Sequence, residues 1–424
     1  MIKFLLKGLV RDKSRSRLPL IVVSIGVALS VWMHAYVTGF MGDTIEINAR
    51  FSHGHVKVMT RAYAENMDQN PNDLALLEAG ETADTLQEIF PDMEWAARIQ
   101  FGGLIDAPDE KGETKSQGPA MGLGLDLFSS GSREAERLDL SRALVRGTMP
   151  ENAGEALISE KFSRKMEVGP GDEITLIGSG MHGGMVMHNF TIAGTLSFGV
   201  EAMDRGTIIA DIEDVRLALD MEGAAGEIVG FFEDGFYDDD LALKRAERFN
   251  AIYEDDPGEF APVMKSLSRQ GSMGPYVDMV KVWSWYITMV FVFAMSLVLW
   301  NAGLIGGLRR YGEIGVRLAM GEEKGHVYRT MITESVFIGI AGSVIGTGAG
   351  LFFAWLVQIY GIDISGLMEG AALMMPTTIR TRITPPDYYI GFIPGLLSTV
   401  TGTMLAGIGI FKRQTARLFK ELEA

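Results

Sequence analysis

The chain has 424 residues, a formal net charge of −16, 47% hydrophobic residues and no cysteine. Such acidity argues against nucleic acid or an anionic lipid surface as partner, and the lack of thiols excludes disulfide bracing and cysteine nucleophiles. At this length a hydrophobic core suffices without cross-links.

In residues 1–17, Leu5, Leu6 and Leu9 interleave with Lys3, Lys7 and Arg11. That pattern predicts an amphipathic elbow helix lying in a membrane interface. Four stretches without any Asp, Glu, Lys or Arg follow, at 18–42, 282–308, 335–362 and 388–411. A bilayer core of ~30 Å takes ~20 helical residues, so each is long enough to span it. The first is longer than a signal-peptide core and no small-x-small site follows it, so it reads as an uncleaved anchor. The third span is taken as 330–362.

Basic residues set the orientation. Lys3, Lys7, Arg11, Lys13, Arg15 and Arg17 precede the first span. Arg309, Arg310, Arg317, Lys324 and Arg329 lie between the second and third, and Lys412, Arg413, Arg417 and Lys420 follow the fourth. Basic flanks stay in the cytoplasm, which puts both termini (with the tail 412–424) and the loop 309–329 inside. The insert 43–281 and the loop 363–387 then lie outside. The insert carries −23, a solubilising exterior.

The insert reads as mixed α and β. Strands are expected at 55–59 and 95–105 and a helix at 82–90, ended by Pro91. The polar run 106–118 suggests a crossing between subdomains. Ser159 is a candidate N-cap for a helix to 168, and Gly169-Pro170-Gly171-Asp172 a turn into strand 173–177. After a glycine and methionine loop come strands 189–198 and 207–210, helix 212–219, strand 227–233 and helix 240–253. That helix places Ala242, Ala246, Phe249 and Tyr253 on one face, as a cover for a sheet. The expected arrangement is one membrane-proximal subdomain from 43–110 and 206–260, with a second, 111–205, inserted in it.

The search for catalytic chemistry finds little. The sequence has no GxxxxGK[ST], GxSxG or HExxH. His53 and His55, two apart on an expected strand, share a face but have no clear third ligand. Gly342, Gly346 and Gly350 recur every four residues in the third span, and Gly391 with Gly395 repeats the spacing in the fourth, a device for close helix approach. Glu334 is the one ionisable group read near a span, either a functional intramembrane carboxylate or one reaching the headgroups. In the loop 309–329, read as one helix, Glu313 and Arg317 stand four apart and can pair. Gly315 and Gly321 weaken a helix, which points to close contact or a turn.

The most specific feature is Arg310-Tyr311-Gly312-Glu313-Ile314-Gly315-Val316-Arg317-Leu318-Ala319-Met320-Gly321, then Met331-Ile332-Thr333-Glu334-Ser335 and a glycine-rich span. It resembles the signature of FtsX/MacB-like ABC transporter permeases, R-x-x-E-I-G-x-x-R-A-x-G with E-S opening the next helix. Leu318 stands where that pattern has its second arginine. Lys7 to Ser30 is similar to the family's elbow and first span, Gly54 to Val58 to the strand opening its periplasmic core domain, and 157–159 with 168–172 to its middle subdomain.

The resemblance implies a four-span, all-α membrane part plus a MacB-like α+β periplasmic domain of two subdomains, in a bacterial inner membrane. It implies a non-catalytic permease subunit that binds no cofactor. A separate cytoplasmic ATPase would use ATP and magnesium and grip Arg310, Glu313, Ile314, Gly315, Arg317, Leu318 and Gly321. Segment 276–285 would extend the second span as a stalk. Length and topology resemble the lipoprotein-releasing LolC/LolE permeases, which implies a homodimer or a heterodimer with a related permease and a periplasmic lipoprotein carrier. The long hairpin that docks that carrier is replaced here by the shorter 178–187, where Met181, His182, Met185 and Met187 are candidate contacts for a partner or acyl chain. The alternatives are an FtsX-like regulator of a cell-wall hydrolase and a MacB-like exporter of peptides or small molecules.

Overall fold

The computed structural model describes residues 13–109, 111–198, 201–271, 273–308, 311–363 and 378–412. They fall into two units, a helical one (13–41, 281–363 and 378–412) and an α/β one (42–280). The elbow residues 1–12, Arg310, and 413–424 of the tail lie outside the described residues.

Among the described residues, four helices are long and apolar enough to cross a membrane: Arg17–His53, Met273–Ala319, Lys324–Tyr360 and Pro385–Ile408. The helices labelled here are α1 (Lys13–Asn48), α6 (Met273–Leu308), α7 (Tyr311–Ala319), α8 (Lys324–Tyr360) and α9 (Thr399–Lys412), the last led in by a π turn at Ile393–Ser398. Both α1 and α6 have 36 residues, about 54 Å at 1.5 Å per residue, well beyond one bilayer core. The stalk expected at 276–285 is the first part of α6.

Small residues draw the helices together. In lipid, apolar side chains gain nothing by leaving the tails, so association rests on close packing. A Cβ at Gly342 would lie 2.6 Å from Val23 Cγ1, at Gly346 2.5 Å from the Ser24 carbonyl oxygen, and at Gly350 2.8 Å from that of Ala28. Val23, Val27 and Val31 of α1 are buried against this bare stripe. Gly391 and Gly395 admit the same Val27 from the other side.

The elements of 42–280 are β1 (Val56–Thr60), α2 (Ala79–Ile89), β2 (Met93–Pro108), β3 (Thr114–Leu125), β4 (Leu144–Gly147), β5 (Glu155–Ser159), α3 (Glu160–Met166), β6 (Glu173–Ser179), β7 (Met185–Leu196), β8 (Thr207–Asp211), α4 (Ile212–Ala218), β9 (Glu227–Phe232), α5 (Asp239–Ile252) and β10 (Pro262–Ser266). The 16-residue β2 is the spine. Its residues Met93 to Arg98 pair with β9, and the sheet continues through β1 to β10. Its second half pairs with β3 on one edge and β6 on the other. Because β3 leads through β8, β5 and β7 back to β6, six strands close a ring with no free edge. Ile99, Ile105, Ile158, Leu176, Phe190 and Ile208 are among its buried core. Phe101 lies across Gly122, where any Cβ would strike the ring.

The four-stranded part is covered by helices. Ala242, Ala246 and Phe249 of α5 meet Val58, Ile228 and Met264, as the spacing predicts, and Asp238 caps α5 by accepting from the Leu241 amide at 3.0 Å.

Two expectations about the insert are corrected. The run 106–118 is a hairpin joining β2 to β3, not a crossing between subdomains. Asp109 Oδ1 accepts from the amides of Lys111 and Glu113, so these polar residues make a turn. The expected boundaries also shift: 99–108, placed with the ends of the insert, and β8, placed with 206–260, both belong to the closed ring.

Gly346→Ala puts a methyl against a backbone oxygen and should destabilise the purified protein by about 1–3 kcal/mol. Gly348→Ala, with nothing within 4 Å of its Cβ among the described residues, should be neutral or stabilising by up to about 1 kcal/mol. Thermal unfolding in detergent distinguishes the two. Equal behaviour would remove the close-approach explanation.

Candidate functional site

The signature segment is a short helix, a turn and the start of a long helix, not one helix as the sequence suggested. Tyr311, Ile314 and Leu318 of α7 pack on Val327 and Met331 of α8, and the Tyr311 hydroxyl donates to the Ala406 carbonyl of α9 at 2.5 Å. Gly315 is buried with them. The helix ends in a Schellman turn: the Gly321 amide donates to Leu318 and the Glu322 amide to Arg317, with Gly321 at φ +94°. Only glycine takes that backbone readily, so Gly321 is there for the turn.

Arg317 pairs with Glu322 rather than Glu313. Its Nε and Nη2 reach the two carboxylate oxygens at 2.7 and 2.6 Å, a bidentate clamp across the turn. Glu313 and Glu334 both act electrostatically on Arg317. What α7 leaves outward is Glu313, Val316 and Met320, spaced i, i+3, i+7 on one face. Val316 is 45% and Met320 76% exposed. The sequence reading missed both, although their period against Tyr311, Ile314 and Leu318 was visible.

It also missed a pair that joins two of the candidate spans. His34 Nδ1 of α1 lies 2.7 Å from Asp387 Oδ1, just ahead of the π turn, and Asp387 is fully buried. Its other oxygen accepts from the Thr384 amide and hydroxyl at 2.6 and 2.9 Å. Glu334 is therefore not the sole ionisable group near a span.

In the α/β unit, the carbonyl end of α1 is capped by side chains of the sheet. Arg98 Nη1 donates to the Arg50 and Phe51 carbonyls at 2.8 and 3.3 Å, and Lys57 Nζ to that of Ser52 at 2.8 Å. Cations at the negative end of a helix are favourable. Arg98 also donates through Nε to Glu134 at 2.6 Å, and Lys57 pairs with Glu227 at 2.6 Å, all deeply buried. Burial alone would raise the Glu134 pKa, but the Arg98 and Arg137 guanidiniums outweigh it and hold the carboxyl below its ordinary range.

His53 and His55 do not share a strand face. His53 ends the π turn after α1, with Nδ1 3.2 Å from Gln270 Oε1. His55 Nδ1 accepts from the Phe232 amide at 2.9 Å, so Nε2 carries the proton that meets Glu46 Oε2 at 3.0 Å. Both ring nitrogens are spent on structure.

The glycine and methionine loop is a tight hairpin between β6 and β7, closed by Gly180 N to the Gly184 carbonyl at 2.8 Å. Met185 and Met187, two apart on β7, are 80% and 66% exposed, and His182 is exposed. Met181 is corrected to a core residue, buried against Phe190 and its neighbours.

Helix α7 and its turn lie inside the part of the chain that matches a known family. Residues 285–415 match the model of the FtsX-like permease C-terminal family. Two curated relatives, both "Lipoprotein-releasing system transmembrane protein LolC" from strains of Xylella fastidiosa, are 24% identical over 212 residues, 49% of this chain and 46% of theirs. The match thus spans about half the length of those relatives. Among solved structures, the periplasmic region of MacB from Actinobacillus actinomycetemcomitans covers 55% of this chain and 96% of its own, at 10% identity and a TM-score of 0.36.

Since Glu134 is ionised in the fold at a pH where an unfolded chain would begin to protonate it, its contribution is present above the unfolded pKa of about 4.3 and is lost as pH falls through the lower folded value. Glu134→Gln should therefore destabilise the protein at pH 7 and lose less than wild type on acidification to pH 3. Chemical unfolding at both pH values checks this, and a constant difference between them would remove the linkage.

Proposed function

We propose that the chain is the membrane-spanning, non-catalytic subunit of an ABC transporter in a bacterial inner membrane, acting as a dimer. A separate cytoplasmic ATPase binds and hydrolyses ATP with magnesium. The carrying observation is the outward face of α7 on an otherwise packed element: exposed Val316 and Met320, with Glu313 one turn before Val316, inside the segment that matches the FtsX-like family. Apolar groups ringed by charge suit a protein partner better than water. In this reading both termini and α7 lie in the cytoplasm, and the ATPase grips Glu313, Val316 and Met320 while the Arg317–Glu322 clamp keeps their turn in shape. Closing of the ATPase would move α7 and α8, and α1 and α6 would carry that motion into the 42–280 domain. We infer lipoprotein release as the work done, supported by the LolC relatives.

Met320→Asp alters an exposed side chain and leaves the turn alone, whereas Gly321→Leu would strain a positive-φ turn and report on folding. Met320→Asp and Glu313→Arg should insert normally yet lower the ATPase recovered per permease by about tenfold, equivalent to about 1.4 kcal/mol of interface. Quantitative co-purification from native membranes, with lipoprotein release measured alongside, tests both levels. Stoichiometric ATPase with both variants would overturn the coupling face. Normal recovery by wild type without lipoprotein release would overturn only the substrate.

A further inference from the structure

We propose that the cavity between α1, α6, α8 and α9 is a binding site for one fatty acyl chain of a bilayer phospholipid. The cavity encloses about 480 Å³. One wall is a run of three glycines on α6 at i, i+3, i+4 spacing, and two of them are explained by packing. A Cβ at Gly303 would lie 2.7 Å from the Thr399 carbonyl oxygen, and one at Gly307 2.6 Å from Ala406 Cβ. Gly306 is different. No described atom comes within 4 Å of the place its Cβ would take, so the missing side chain leaves open volume along the cavity. The cavity is open on one side, and its volume is enough to admit part of a slender apolar chain.

The lining selects the chemistry. Leu18, Val22, Ile305 and Ile338 make the wall mainly apolar, and the Glu313 carboxylate of α7 is the one ionisable group on it. The hydroxyls of Ser335 and Thr403 are already spent on the Ile332 and Thr399 carbonyls, at 2.8 and 3.0 Å. Thr399 is the exception: it is 5% exposed, lines the cavity, and its Oγ1 has no hydrogen-bond partner among the described residues. An ordered water needs two to four polar partners, and such a wall serves it poorly. An acyl chain fits better, its methylenes against the apolar wall and its ester carbonyl accepting from the Thr399 hydroxyl. Entry is from the side: Leu18 and Ile305, 60% and 49% exposed, lie on helices long and apolar enough to cross a membrane. A chain already in the bilayer reaches this opening without crossing water. The site shares Glu313 with the face assigned to the ATPase, but its test reads lipid retention and needs no ATPase.

The test uses the full chain, purified in detergent and reconstituted with a phosphatidylcholine that carries a nitroxide near the end of one acyl chain. Wild type should show a motionally restricted spin component and, by native mass spectrometry, one retained phospholipid per chain after repeated detergent exchange. Gly306→Leu fills the cavity and should reduce both signals by about tenfold, whereas Gly348→Leu, an exposed helical glycine outside the cavity, should leave them unchanged. Thr399→Val keeps the shape, removes the donor and should weaken retention by about fivefold, so it decides the matter if Gly306→Leu misfolds. Equal retention by wild type and either cavity variant, no restricted component in wild type, or an adduct mass of a free fatty acid or lipopeptide in place of a phospholipid would overturn the proposal.

Discussion

Close approach of backbones in the helical unit is the constraint on which the rest of that unit depends. Helices in lipid cannot be driven together by burying apolar surface, because the tails are as apolar as leucine. Val23, Val27 and Val31 therefore need partners without side chains, and Gly342, Gly346 and Gly350 supply them at the same period of four. Val27 also fits between Gly391 and Gly395, so one β-branched residue with a stiff χ1 holds three helices at once. The same small-residue rule on α6 leaves Gly306 facing open space, and the cavity follows from it.

The α/β unit meets a different constraint. Its charges are buried in sets, Arg98 with Glu134 and Lys57 with Glu227, and His55 adds a buried hydrogen bond to Glu46. Buried ion pairs are costly to assemble and costlier to break one-sidedly, so such sets specify an arrangement more than they strengthen it. Here they specify where the end of α1 stops, because Arg98, Lys57 and Gln100 all donate to the carbonyls of residues 50–52. Closure of the ring through β6 serves a related purpose, since it leaves β2, the longest strand, paired on both edges.

Helix α7 joins these themes at the segment shared with FtsX-like permeases. A buried apolar face and a tyrosine hydroxyl on Ala406 fix it to its neighbours, and a glycine turn with a bidentate ion pair fixes its end. Rigid attachment on one side with an apolar outward face on the other suits a part that transmits a push.

The spans, the helix at 239–252 and most strands were legible in the sequence, because charge-free length and periods of 3.6 and 2 are local properties of the chain. The glycine stripe was legible for the same reason, and so was the signature segment. What the sequence left open is what depends on distant partners. Strand β3 was hidden because Gly118, Gly122 and Gly124 break its alternation, and only the fold explains them, by Phe162, Phe101 and Val215 lying where their side chains would be. Arg317 was matched to Glu313 by helical spacing, but a turn at Gly321 brings Glu322 instead, and a turn cannot be read from a helical period. His34 and Asp387 are 353 residues apart, and Met181 looked like its exposed neighbours until the hairpin folded it inward. By itself the sequence determined which segments cross lipid and which alternate, since one solvent decides each. Tertiary structure alone decided which buried charges meet, which glycine faces a helix and which faces a void, because those outcomes depend on surfaces that only the folded chain brings together.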